Sequence, residues 1–396
     1  MKTLLQDAPS APSDARPSPA RFTGATLAAL VAFAAITPLL LLVAPAVAAQ
    51  LGAQLGLSAT QIGTYFFVEL GAFSLATLPS YWWLGRVDAR RVAWCAIALF
   101  GAGNLATAVS MPSFAPLLAL RAVTALSGGT LMVLCMTSAA TSENRDRVYG
   151  LWVVGQLIAG AAGLFVLPHL FQAVGLRALY VALAGLALCA APLCRGFAAA
   201  PATLAAAARS RLAPAAPRGG VALAIGGVLT FYLSIGSVWT FASKAGADAG
   251  LDTQTGGTVL AVASLMGIAG ASLASYLGGR IARRTVLYAG YALLVASLGA
   301  LAVQPRAAGY AAAIFGFKFA WTFVLPFMLA GVARIDPSGR LIATLNFVIG
   351  AGLAAGPLIA GVALDAGGTM PLLFVTAATV SLMSLAALLR IERRAA

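Results

Sequence analysis

Apolar stretches separated by short polar or charged breaks follow one another along nearly the whole chain. Twelve can be marked. In the first half they run over about 22–48, 59–84, 91–110, 112–138, 147–170 and 175–194. In the second half they run over about 219–243, 256–279, 284–303, 307–333, 340–364 and 370–389. Each has the roughly 20 residues that a helix needs to cross a hydrocarbon layer. A helix satisfies its own backbone groups, which lipid cannot do, so each run predicts one spanning helix. An even number of crossings puts both chain ends on one side.

Composition agrees. The chain is 61% hydrophobic and 9% charged, against about 25% charged in a soluble domain. The pattern predicts an all-α polytopic membrane protein. The net charge of +14 would suit nucleic acid, but its distribution excludes that partner. Of 25 Lys and Arg, Arg177, Lys244 and Arg306 fall on one side, and Arg121 and Lys318 lie within runs. All the others lie in the tails, the centre of the chain and the turns of the opposite side. This asymmetry marks the cytoplasmic face, and anionic inner-leaflet lipid is partner enough for it. The expectation is a multi-pass protein of the cytoplasmic (inner) membrane with both termini cytoplasmic.

The expected organisation is a disordered cytoplasmic tail at 1–21, a six-helix bundle at 22–194, and a cytoplasmic linker at 195–218. A second six-helix bundle at 219–390 and a short tail at 391–396 complete it. The linker is the longest stretch without an apolar run and carries Pro201, Pro214 and Pro217. The four Cys have no paired spacing and read as small packing residues. The lone His cannot build a histidine metal site, and no cofactor is expected.

The halves echo each other. Gly85-Arg86-Val87-Asp88-Ala89-Arg90-Arg91 and Gly278-Gly279-Arg280-Ile281-Ala282-Arg283-Arg284 are basic turns between apolar runs, 193 residues apart. Arg147 and Arg340, and Gly163 and Gly356, share that offset. A parallel repeat of this length reads as two homologous bundles. The second turn, with Leu277 before it, resembles the loop signature of the major facilitator superfamily, G-x-L-a-D-R-x-G-R-R, at Leu277, Arg280, Arg283 and Arg284. Gly279 stands at the acidic position and Ala282 at the second glycine. The first copy departs further, with Asp88-Ala89 where one residue is expected. The resemblance implies twelve helices in two bundles, no enzymatic activity, and a role for both turns as conformational-gating loops. In the family the acid helps latch neighbouring helices. Without it, Asp88 with Arg147, or Glu143 with Arg90, are the replacements to look for.

A charge at mid-bilayer costs about 2.5–3.5 kcal/mol on insertion scales, so each one is a candidate for function. Glu69 is the one acid deep in a run, Arg121 lies in the fourth run and Lys318 in the tenth. The resemblance places these runs around a central cavity, and links an arginine like Arg121, with Ala125 and Gly129 after it, to proton coupling. Glu69 reads either as a proton carrier or as one half of a fixed Glu69–Arg121 pair. Lys318 reads as a point charge for an anionic substrate group; at roughly 16 Å into its run it is too deep to snorkel easily. Gln156, Asn346, Trp321, Phe317, Tyr65 and Trp239 are further substrate-binding candidates, the aromatic ones more often serving packing.

The resulting expectation is a proton-coupled secondary active transporter working by alternating access, with a carboxylate-type substrate and a monomeric state. The alternative is proton-antiport export of drug-like or amphipathic compounds. A membrane-embedded enzyme or sensor has little to build with here: one His, one deep acid and no Cys/His cluster.

Overall fold

The computed structural model describes residues 23–84, 86–111, 113–139, 142, 145–197, 218–333, 335 and 340–394. The expected tail at 1–21, most of the linker, Glu143 and the side chain of Asn346 lie outside the described residues.

The first run is a broken helix: α1 (Gly24–Ile36), α2 (Leu39–Leu42) and α3 (Ala44–Leu55). The breaks coincide with two prolines, Pro38 and Pro45, whose rings remove backbone donors. The second run is also split, into α4 (Ala59–Leu75) and α5 (Thr77–Trp83), with Pro79 two residues inside α5. Four elements complete the first half: α6 (Ala89–Ser110), α7 (Phe114–Ala139), α8 (Arg145–Val174) and α9 (Arg177–Ala190). The second half has α10 (Arg218–Thr240), α11 (Ala242–Asp248), α12 (Thr253–Leu277) and α13 (Arg283–Ala302). It ends with α14 (Ala307–Ala333), α15 (Arg340–Asp365) and α16 (Met370–Arg394). Eleven helices are long and apolar enough to span a membrane, and α1 is a shorter apolar one. They match the twelve runs one for one, and no strand occurs among the described residues.

Within the first half, α6 packs on α7 and α9, α4 on α7, and α1 on α8. Within the second, α10 packs on α15 and α16, and α14 on α12 and α13. The halves meet along two main seams, α4 against α15 and α8 against α12. Small residues make those seams close. A Cβ on Gly63 would lie 2.8 Å from the Cα of Leu358, and one on Gly257 would lie 2.8 Å from the carbonyl oxygen of Leu164. Both sites are at the face away from the chain termini, called here the far face. Lipid gives helices no hydrophobic reason to associate, so backbone approach of this kind supplies the packing energy.

The far face carries polar fastenings as well. The Asp365 carboxylate, at the end of α15, accepts from the backbone N–H groups of Ala59 (3.1 Å) and Thr60 (2.8 Å) at the start of α4. Ser58 Oγ accepts from the third, that of Gln61. On the second seam Gln254 Nε2 donates to Gln172 Oε1 at 3.0 Å. Asp252 caps α12, and hydrogen bonds from the Thr255 hydroxyl and then from backbone N–H groups hold its carboxyl below the usual range.

The two basic turns differ. In the first, Asp88 caps α6 by accepting from the Arg90 N–H at 2.8 Å, and Arg90 reaches the carbonyls of Arg195 and Phe197. In the second, Gly279 sits at φ +75°, a conformation that glycine adopts freely and an aspartate there would resist. The acid arrives from elsewhere. Glu392 of α16 accepts from Arg283 at 2.9 Å, its backbone carbonyl accepts from Arg284, and Arg280 stacks on Tyr276 at 4.0 Å. The short tail expected from residue 391 is therefore helical through Arg394. Arg86 and Arg91 are exposed, and Gly278 caps the C-terminus of α12.

Candidate functional site

The polar candidates form two separate clusters, one in each half. The first is built on α4, α6, α7 and α9. Tyr65 and Glu69 are one helical turn apart on α4 and point inward together. Arg121 on α7 is fully buried, and Glu69 is 6% exposed. Arg121 Nε donates to Glu69 Oε2 at 2.8 Å and Nη2 to Oε1 at 2.7 Å, a two-pronged pair. Its Nη1 donates to Asn104 Oδ1 at 2.9 Å, and Asn104 in turn donates to the Phe100 carbonyl. The Tyr180 ring covers the guanidinium at 5.1 Å, and the Tyr180 and Tyr65 hydroxyls share a hydrogen bond of 2.8 Å. Each guanidinium nitrogen has a partner, and the cluster is electrically neutral.

The second cluster is built on α10 and α14. Lys318 is 2% exposed, yet no carboxylate pairs with it among the described residues. Its ammonium lies 3.8 Å from the ring centre of Trp321 and 4.0 Å from that of Trp239. The two indoles meet edge to face at 6.2 Å, and Phe317 packs against Trp321. Aromatic faces carry a negative quadrupole, so two of them offset a desolvated ammonium by about 2 kcal/mol each. They solvate the charge without neutralising it.

The resemblance gathers Glu69, Arg121 and Lys318 around one cavity, with Tyr65, Trp239, Phe317 and Trp321 as further substrate-binding candidates; the structure sets Tyr65 beside Glu69 and Arg121, and Trp239, Phe317 and Trp321 beside Lys318. It does not join them: no hydrogen bond or ion pair links the clusters among the described residues. Of the two buried cations, Arg121 has a carboxylate partner in Glu69, and Lys318 has none among the described residues. Gln156 donates to the Ala34 carbonyl at 2.9 Å and ties α8 to α1. Asn104 and Tyr180, which the sequence does not single out, are fully buried in the first cluster. No local signal marks either one, because both matter through helix rotation.

Comparison with known proteins now adds to this geometry. The family model described as Major Facilitator Superfamily matches residues 22–338. The chain belongs to the major facilitator superfamily. Solved facilitator structures share its fold. The nucleoside transporter NupG superposes with a TM-score of 0.71 at 12% identity, covering 93% of this chain and 99% of that one. A bacterial homologue of the human lysosomal transporter Spinster, solved inward-facing and occupied, gives 0.67 at 14% identity, over 93% and 96%. At such identities the likeness establishes the fold only. No curated protein sequence matches the chain. As a facilitator it is a multi-pass membrane protein of a family that carries small molecules by secondary transport, a family of transporters and not of enzymes.

Proposed function

We propose that this facilitator moves a small organic anion, of carboxylate type, by alternating access coupled to protons. It acts as a monomer in the cytoplasmic membrane, with both termini in the cytoplasm. The single observation that carries the substrate class is Lys318, a buried cation held by aromatic faces with no acid beside it. An uncompensated charge at this depth is costly to keep. An arriving carboxylate supplies the missing counter-charge and the aromatic walls supply its apolar contact. Export of cationic drug-like compounds fits less well, because the one aromatic box in this cluster already holds a cation.

The test is a thermal-shift series on the purified protein with benzoate, lactate and citrate, repeated on Lys318→Gln. A ligand at a hundred times its Kd stabilises the folded state by about 2.7 kcal/mol. The expected result is a shift in the wild type that Lys318→Gln abolishes. A shift of equal size in the variant overturns the anion site.

For coupling, the proposal assigns the proton to Glu69: protonation of its carboxylate releases Arg121 and loosens the first bundle. A second reading rests on a specific observation, the complete engagement of Arg121 by Glu69, Asn104 and Tyr180. In that reading the pair is a fixed brace. Glu69→Gln separates the two. Loss of gradient-driven accumulation with substrate exchange intact supports the carrier, and unchanged accumulation supports the brace.

A further inference from the structure

Between the halves at the far face lies a cavity of ≈450 Å³, lined by Gln50, Ala53, Thr240, Lys244, Asp252 and Gly256 among others. Thr240 is in its wall, and the next residue down, Trp239, is 1% exposed. One face of the Trp239 indole holds the Lys318 ammonium at 4.0 Å. Its Nε1–H donates to the carbonyl of Leu41, in the other half of the molecule, at 3.2 Å. That carbonyl is available for a reason written in the sequence. Pro45 stands four residues later and has no N–H to return to it, which leaves the nearby Val43 N–H as its one local donor among the described residues. A proline in one half thus frees an acceptor, and a tryptophan in the other half takes it.

We propose that Trp239 is the gate between this far-face cavity and the Lys318 site. When the halves close at the far face, the Leu41 bond holds the indole across the passage and over the ammonium. When they part, Leu41 moves away with its own half, the indole is released, and Lys318 becomes open to the cavity. Closure and caging are then one event. The substrate charge meets a bare ammonium only when the far face is open. The meaning of the gate for transport rests on the reading of Lys318 as the anion site; the gate itself does not.

The test follows from the lysine count. The chain has only Lys2, Lys244 and Lys318, so a membrane-impermeant amine reagent can be followed site by site. The full chain in lipid nanodiscs is treated with trinitrobenzenesulfonate and each adduct is quantified by peptide mass spectrometry. Lys244, 55% exposed at its side chain, is the internal control. In the wild type Lys318 reacts far more slowly than Lys244. Trp239→Phe keeps an aromatic face and removes the donor. It is expected to speed Lys318 by about two- to ten-fold, the population shift that the loss of one hydrogen bond produces. Pro45→Ala leaves the indole intact and gives Leu41 a helical donor; it is expected to act in the same direction. Gly256 borders the cavity with open space around its Cβ position. Adding Gly256→Trp to Trp239→Phe is expected to restore protection.

An unchanged Lys318 rate in both Trp239→Phe and Pro45→Ala overturns the gate. A rise that Gly256→Trp does not reverse places the leak at the other face and also overturns it. Neither result touches the carboxylate thermal-shift series. Conversely, a failed series with a positive labelling result leaves the gate standing and removes only the anion.

Discussion

The two halves are built on one repeat, yet they treat buried charge in opposite ways. In the first half Arg121 is neutralised by Glu69, fixed by Asn104 and covered by Tyr180. In the second half Lys318 has two indole faces and no acid. In the neutral pair three guanidinium N–H groups are donated to side chains on neighbouring helices. A cation without a counter-charge has its strongest interaction still to make. Equivalent helices of the two halves, α7 and α14, thus carry buried charge in two arrangements, one neutralised and one not.

Removing one charge from each half breaks the comparison most directly. Arg121→Ala strands Glu69 in a buried place, and truncating one partner of such a pair costs about 3–5 kcal/mol. The expected outcome is a large drop in melting temperature, mostly recovered when Glu69→Gln is added; no recovery means that the pair is not what the guanidinium was balancing. Lys318→Met is expected to behave in the opposite way. Its melting temperature stays level or rises, while carboxylate binding falls by about 2–5 kcal/mol, the range for losing one partner of a desolvated charge pair. A destabilised Lys318→Met would make both clusters structural. Asn104→Ala sharpens the picture within the first half. It leaves one buried guanidinium donor unmet, at about 1–3 kcal/mol in thermal unfolding, with no change in ligand shift. The smallest effect belongs to Glu392→Gln, which removes the charge of the buried partner of the partly exposed Arg283 but keeps an acceptor for it; about 1 kcal/mol is expected. A larger loss would show that the turn depends on α16 more than a single ion pair explains.

The helices were legible because lipid imposes a simple rule on chain length and polarity. The runs read from hydropathy coincide with the observed spans, and the breaks at Pro38 and Pro45 fall on residues that lack a donor. The identity of the buried charges was legible for the same reason: Glu69, Arg121 and Lys318 are conspicuous where charge is expensive. What each charge faces was not. Rotation of α6 and α9 about their axes decides that Asn104 and Tyr180 meet Arg121, and apolar runs of uniform character carry no periodic signal of rotation. The partner of the second basic turn was hidden differently. Glu392 lies more than a hundred residues further along the chain than Arg283, in a segment read as tail, and only the length of α16 brings it back.

The Asp365 carboxylate has a consequence for the resting protein. The first N–H groups of α4 have no acceptors within their own helix, and two of them are served by a side chain that belongs to the opposite half. The beginning of one half is finished by the end of the other. Any motion that separates the far face leaves that helix start to water, whereas motion at the terminal face leaves it whole. The two Asp365 hydrogen bonds are thus made only while the far side is shut.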